Sequence, residues 1–192
     1  MRFATSPRLL HIGREDREAK LKDFIGEDLA ARRAAGSAAH TYTLLARAPD
    51  SPVARALGML TTELTEANVT VQAVLLDLDS LTDEPGRPSV LDLVNAEVRL
   101  LTDVRFSAAH EQMVLSASRL WLGDCMRRDP AKRDAFEIFH DVNTGAAQHA
   151  CVSFSRLWAG AQPIRRVRPL APEVVLAGQM AGEAAGMRLP RR

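Results

Sequence analysis

Cysteine, lysine and aromatic residues are scarce in this chain, and each shortage excludes something. The two cysteines, Cys125 and Cys151, are too few for a disulfide framework, and neither belongs to a C-x-x-C pair. They read as two reduced thiols of a cytoplasmic protein. Aromatic side chains make up only 5% of residues, so aliphatic and alanine packing must supply the core. No apolar run approaches the roughly 18 residues of a membrane span. The opening MRFATSPRLLHIGRED has too short an apolar stretch for a secretory signal, which leaves a bacterial cytoplasm as the expected compartment. Nor does one sign of charge dominate: 25 basic residues stand against 24 acidic ones, a net of +1. A nucleic-acid scavenger or an acidic solvating protein is therefore excluded as a description of the whole chain. Lysine is replaced by arginine almost throughout, and alanine is abundant, which reads as the codon bias of a GC-rich genome. Dinucleotide, P-loop and hydrolase-elbow glycine motifs are all absent.

What is present is an ordinary globular composition, 46% hydrophobic and 26% charged, over 192 residues. That length suits one domain with some chain to spare, and a fold of this size needs no metal or disulfide to hold together. Apolar residues from Arg14 to Ala35 recur at three and four, which predicts a helix closed by Gly36. TYTLLAR, residues 41–47, predicts a buried strand. Pro52 opens a helix whose face carries Val53, Leu57, Leu60 and Leu64 as far as Asn68. VTVQAVLLDLD, residues 69–79, alternates and then runs apolar, as a strand in a covered sheet does. Ser89 caps a short helix at 90–95, and 98–102 returns to strand. This α-β order predicts a mixed, largely parallel α/β sheet with helices on both faces. MVLSA and RLWLGD then predict a hairpin joined at Ser118-Arg119. Phe136–Phe139 predicts one more strand, and Thr144–Trp158 a helix with Ala147, Cys151, Phe154 and Trp158 on one stripe.

With His110 at the entry to that hairpin and a Trp-ended helix after it, the order of elements resembles the phospholipase D superfamily. The resemblance is to the short nuclease-type members that carry one copy of the domain. It covers about residues 14–163, including the closing SFSRLW at 153–158. The family signature is H-x-K-x4-D-x6-G-S-x-N, and the corresponding stretch here is HEQMVLSASRLWLGDCM. The resemblance implies a phospholipase D-like topology and puts His110 at the nucleophile position. Its departures are in the charged partners. The lysine position holds Gln112 and the aspartate position Ala117. Gly123 is kept if one residue fewer precedes it, with Asp124 in place of serine and Met126 in place of asparagine. A carboxylate facing a phosphodiester repels it, and loss of one preorganised donor typically costs about 100- to 1000-fold in rate. The catalytic signature therefore reads as decayed, and His110 reads equally as a strand residue hydrogen-bonded within a cleft.

Other groups carry weaker signals. Asp77 and Asp79 flank Leu78 at a strand end, where open α/β sheets bind ligands, and they serve equally well as turn caps. Arg47, Arg105, Arg127 and Arg128 surround the hairpin and could hold an anion through forked donors, or simply form ion pairs. His11, His40, His140 and His149 lack metal-ligand spacing. Trp121 and Trp158 read as core or dimer contacts.

The expectation is thus a phospholipase D-like α/β domain over residues 1–163 and a basic tail over 164–192. From Ala161 on, six arginines against two glutamates leave about +4 on the tail and −3 on the rest. The expected role is a homodimeric binding or scaffold module, without cofactor or metal. Its anion cleft would lie at His110, with Gln112 and Asp124 in the decayed catalytic positions. Two alternatives stand beside it: an active phosphodiesterase or phosphatidyltransferase using His110 as nucleophile, and nucleic-acid binding through the arginine-bearing tail.

Overall fold

The computed structural model describes residues 8–12, 16–78, 88–103, 105, 109–123 and 135–164. Within them the chain builds an eight-stranded sheet in the order β1-β7-β6-β5-β2-β3-β4-β8. The strands are β1 (Arg8–Ile12), β2 (His40–Ala46), β3 (Val69–Leu75), β4 (Ala96–Leu100), β5 (Gln112–Val114), β6 (Leu120–Leu122), β7 (Ala135–His140) and β8 (Gln162–Pro163). The helices are α1 (Arg17–Ala35), α2 (Pro52–Gly58), α3 (Thr61–Glu66) and α4 (Thr144–Gly160), with a single 3-10 turn at Val90–Asp92.

Alternation along the strands assigns the two faces. Tyr42 and Leu44 of β2, and Val71, Ala73 and Leu75 of β3, pack with Leu21, Ile25 and Leu29 of α1, Leu57 of α2 and Leu64 of α3. The intervening Leu45 and Val74 pack with Phe154 of α4 on the opposite face. Val114 and Leu120 join Ala147 and Ala150 of α4 there. Helices on both faces of a mixed sheet are what the sequence predicts. Trp121, expected in the core, is completely buried.

The parallel share is smaller than expected. Only β2–β3 and β3–β4 are parallel. The five other pairings are antiparallel. The physical reason is connection length: β5 and β6 are joined by a tight turn at Leu115–Arg119, too short for the crossover a parallel pair needs.

The helix expected from Pro52 to Asn68 is interrupted. It ends at Gly58 and restarts at Thr61, whose hydroxyl donates to the Gly58 carbonyl at 2.7 Å. A Cβ at Gly58 would lie 3.0 Å from Pro88 and from the Ser89 nitrogen, tighter than an ordinary contact. Asn68 ends α3 with a positive φ of 52°. The 90–95 helix is reduced to the 3-10 turn, held by a reciprocal capping box between Ser89 and Asp92. The edge strands β1 and β8 are additional to the sequence reading. The expected tail, apart from Ile164, lies outside the described residues, as does Cys125; Cys151 is a free thiol, half-buried on α4.

Candidate functional site

Strands β2 and β4 run parallel to each other through β3, so their carboxyl ends reach the same edge of the sheet. Strand β5 is antiparallel to β2 and begins at that edge. The result is a cleft of about 750 Å3 between the strand ends and α4. Leu45 and the stretch Leu101–Asp103 come from the strand ends, Ala109, His110 and Gln112 from the entry to β5, and Ser153, Arg156, Leu157 and Gly160 from α4. Arg105 also lines it. The volume is in the range that holds a small-molecule ligand.

The floor is apolar, made by Leu45 and Leu101 with the half-buried Ala109 and Leu157 against them. The polar groups sit around it. His110 is exposed, and Gln112, two residues on and on the same side, donates its amide to the Ala150 carbonyl of α4 at 3.3 Å. Arg105 is paired with Asp103 through its Nε and one Nη, with contacts of 2.6 to 3.0 Å. Those hydrogen bonds hold the Asp103 carboxyl below its ordinary range and the guanidinium above its own. Arg156 is exposed and has no acidic partner among the described residues.

Of the residues singled out in the sequence, the fold therefore brings His110, Gln112 and Arg105 into one cleft. Arg47 follows β2 but is not part of the lining; it is exposed, and its backbone N–H donates to Glu111. Asp124, Arg127 and Arg128 lie outside the described residues, as does Asp79. Asp77 is half-buried and lies beyond the end of β3. His40 engages the Leu115 carbonyl at 2.8 Å, and His140 is buried beside Asn143, while His149 on α4 is exposed. The side chain of His11 lies outside the described residues. No three His, Cys, Asp or Glu side chains converge as a metal site requires, among the described residues.

Behind the cleft, on the α1 face, lies a charged cluster that the sequence reading missed. Glu111 is 6% exposed and Glu137 is 0% exposed, yet both are carboxylates. Burying a charge is costly unless it is paired. Here Arg17, at the start of α1, meets Glu137 at 2.5 Å and Glu111 at 3.4 Å. The Trp121 indole N–H donates to Glu137, and the Arg17 guanidinium stands 5.7 Å from the Trp121 ring. Glu111 also accepts the Arg47 N–H at 3.1 Å. Gly123 belongs to this cluster: a Cβ there would stand 2.2 Å from the Trp121 ring and 2.9 Å from Arg17. Gly123 is thus required by a ring folded over it. Alternation was the available signal, since a carboxylate next to a cleft-facing His110 must face the opposite side of the sheet. Arg156 was also missed; Ser153 and Leu157 at three and four residues' spacing place it on the helix face turned to the strand ends.

No protein-family model matches the chain, and no curated protein matches its sequence. Solved structures do match. NucT from Helicobacter pylori aligns with 12% identity over 83% of this chain and 99% of that one, with a TM-score of 0.55. TrmBL2, described as an archaeal chromatin protein with a novel mode of DNA binding, aligns with 14% identity over 83% of this chain at a TM-score of 0.53. The chain spans 56% of the length of that protein. A phospholipase D family member, Nuc from Salmonella typhimurium, aligns with 13% identity over 73% of this chain and 90% of that one, at 0.48. At these identities the likeness to NucT and TrmBL2 is one of fold. No helix among the described residues is long and apolar enough to cross a membrane.

Proposed function

We propose that the protein is a phospholipase D-like module that has lost catalysis and binds a phosphate-like anion at the His110 cleft. It acts as a homodimeric binding or scaffold protein of the bacterial cytoplasm. Residues 1–163 form the working domain, and 164–192 a separate basic tail.

The observation that carries this reading is the state of Gln112. A phosphoryl-transfer site built on H-x-K needs a charged donor aimed at the anion as negative charge builds. The residue at that position is a neutral amide, and one of its two N–H groups donates to the Ala150 carbonyl of α4. The second charged group, Arg105, is held by Asp103. What remains is Arg156, with His110 beside it in the same lining, enough to hold a monoanion but poor equipment for a transition state.

The test is turnover. The purified protein and a His110→Ala variant are incubated with bis(p-nitrophenyl) phosphate and with DNA. Neither protein is expected to hydrolyse them, while inorganic phosphate shifts the His110 ring resonances of the parent. Hydrolysis that disappears in the variant would restore the enzyme reading. A molecular mass of one chain in sedimentation equilibrium would remove the homodimer.

A further inference from the structure

The cleft has an apolar floor and one arginine without an acidic partner among the described residues, and the chain itself contains a segment of matching character. Beyond Ile164 lie 28 residues. They are not uniformly basic. Three arginines at 165, 166 and 168 open the stretch, and three more close it at 188, 191 and 192. Between them, Pro169–Met187 contains just two charged residues, Glu173 and Glu183, among valines, leucines, methionines and alanines.

The departure point of this segment is close to the cleft. Strand β8 runs antiparallel to β4, so at Ile164, whose N–H donates to the Val98 carbonyl at 3.0 Å, the chain heads away from the cleft edge and the segment has to turn back to reach it. Leu101, in the cleft wall, is three residues further along the same chain as Val98, about 10 Å at strand rise. Arg165–Pro169 extend up to about 17 Å. The apolar stretch therefore starts within reach of the cleft once the chain has turned back over Arg165–Pro169.

We infer that the chain's own segment Pro169–Met187 docks in the His110 cleft, with Glu173 on Arg156 and Val174, Val175 and Leu176 over Leu45, Leu101 and Leu157. Charge and polarity support this occupant. Asp103 already pairs with Arg105, so the cleft has room for about one anionic group on an otherwise apolar body. An apolar lining of this kind lowers its free energy by losing water. The arginine clusters at both ends of the segment stay outside, against a body whose net charge is of opposite sign. The inference rests on the anion-cleft reading above and adds its regulation: the segment competes with an external anion for Arg156.

The test uses the full chain with Arg156→Lys, which keeps the positive charge and supplies an amine. Zero-length carbodiimide coupling is followed by peptide mass spectrometry. A bond from position 156 to Glu173 within the single-chain product is expected. Coupling to neither Glu173 nor Glu183, while Lys20 and Lys22 react normally, overturns the inference. The same bond found only between two chains also overturns it, because the occupant is then a second copy.

A second measurement separates this inference from the reading it rests on. In the full chain carrying Glu173→Arg and Glu183→Arg, inorganic phosphate should act on the His110 resonances at about tenfold lower concentration, as expected when a site closed about nine-tenths of the time is opened. Equal phosphate affinity in both proteins overturns the docking and leaves the anion cleft standing. Failure of phosphate to bind either protein overturns the anion cleft, and the coupling result then decides the docking by itself.

Discussion

Glu111 accepts the backbone N–H of Arg47 at 3.1 Å, joining the start of β5 to the end of β2 immediately behind the cleft. The same carboxylate shares Arg17 with Glu137, so one guanidinium serves two buried acids. Arg17→Met should therefore be far more damaging than a surface arginine substitution. It leaves two carboxylates without their cation, a situation that costs about 3–5 kcal/mol when a buried pair is broken. Urea denaturation should show that loss at pH 7. A loss below about 1 kcal/mol would mean that water reaches the cluster.

Gly123 is the second sensitive point on that side of the sheet. Gly123→Ala puts a methyl 2.2 Å from the Trp121 ring, so the ring or the strand must shift. Overpacking of this kind costs about 1–3 kcal/mol. Trp121→Leu combined with Gly123→Ala should cost less than the sum of the two single changes, because the smaller side chain vacates the contact. Strict additivity in thermal unfolding would show that the ring is not the obstacle.

Much of this architecture is legible in the sequence, and the illegible parts share a cause. Val69–Leu75 and Leu44–Ala46 carry the alternation and apolar runs of covered strands, so β2 and β3 are found within a residue or a few. His110 and Gln112 are two residues apart, and local spacing alone puts them on one side. The break at Gly58 is hidden because Val53, Leu57, Leu60 and Leu64 keep helical spacing across it, while the close approach of Pro88 and Ser89 to Gly58 is a tertiary contact. Strand β1 exists because Arg8–Ile12 pairs with Ala135–Phe139 at the other end of the chain, and five residues alone carry too little period to announce it. Arg17, Glu111 and Glu137 look like ordinary surface charges until α1, β5 and β7 close around them. Charge in a sequence is visible, but its burial is a tertiary property.

Tyr42 offers a probe of the core that needs no label. It is the chain's single tyrosine, completely buried, and it donates to Asp28 at 2.6 Å. Burial first, then the hydrogen bond and negative charge of Asp28, push its phenol far above the ordinary value of 10.0. Burial is the largest single influence on Arg32 and would lower it, but the hydrogen bond and charge of the same carboxylate, together with Tyr42, outweigh it and hold the guanidinium above its ordinary value. A group whose folded value is raised contributes stability that is complete below the unfolded value and lost as pH rises above it. Stability should therefore be insensitive to Tyr42 at neutral pH and fall above about pH 10. Absorbance at 295 nm should show no phenolate until the chain unfolds, in step with the far-ultraviolet circular dichroism. Phenolate forming at pH 10 in folded protein would contradict the burial.

Asn68 gives a local check on the turn that feeds β3. Its φ of 52° lies in the left-handed region, which asparagine and glycine tolerate and β-branched residues do not. Asn68→Gly should alter stability by no more than about 0.5 kcal/mol, and Asn68→Val should lower it by about 1–2 kcal/mol. Paired urea titrations give both numbers. Equal stability of the two variants would place the residue in an ordinary conformation.

Gln112→Lys asks whether the cleft can be returned to phosphate chemistry by one charge. The two positions are about 6.5 Å apart along an extended chain. A lysine ammonium at that distance from a bound monoanion gains about 0.6 kcal/mol in water and about 2.5 kcal/mol at the effective dielectric of a protein surface. Phosphate should therefore bind the variant about 3- to 70-fold more tightly, as read from the His110 ring resonances. The strengthening should shrink as salt is raised, because an exposed charge is screened. On the proposed function, turnover of bis(p-nitrophenyl) phosphate is expected to be absent in this variant too, because one added charge does not replace Ala117 by a carboxylate and Arg105 stays paired with Asp103. Binding and catalysis are then separable at this site: one charge suffices to attract the anion, and several acting together are needed to turn it over. Measurable hydrolysis by Gln112→Lys alone would overturn the proposed requirement for several charged groups acting together.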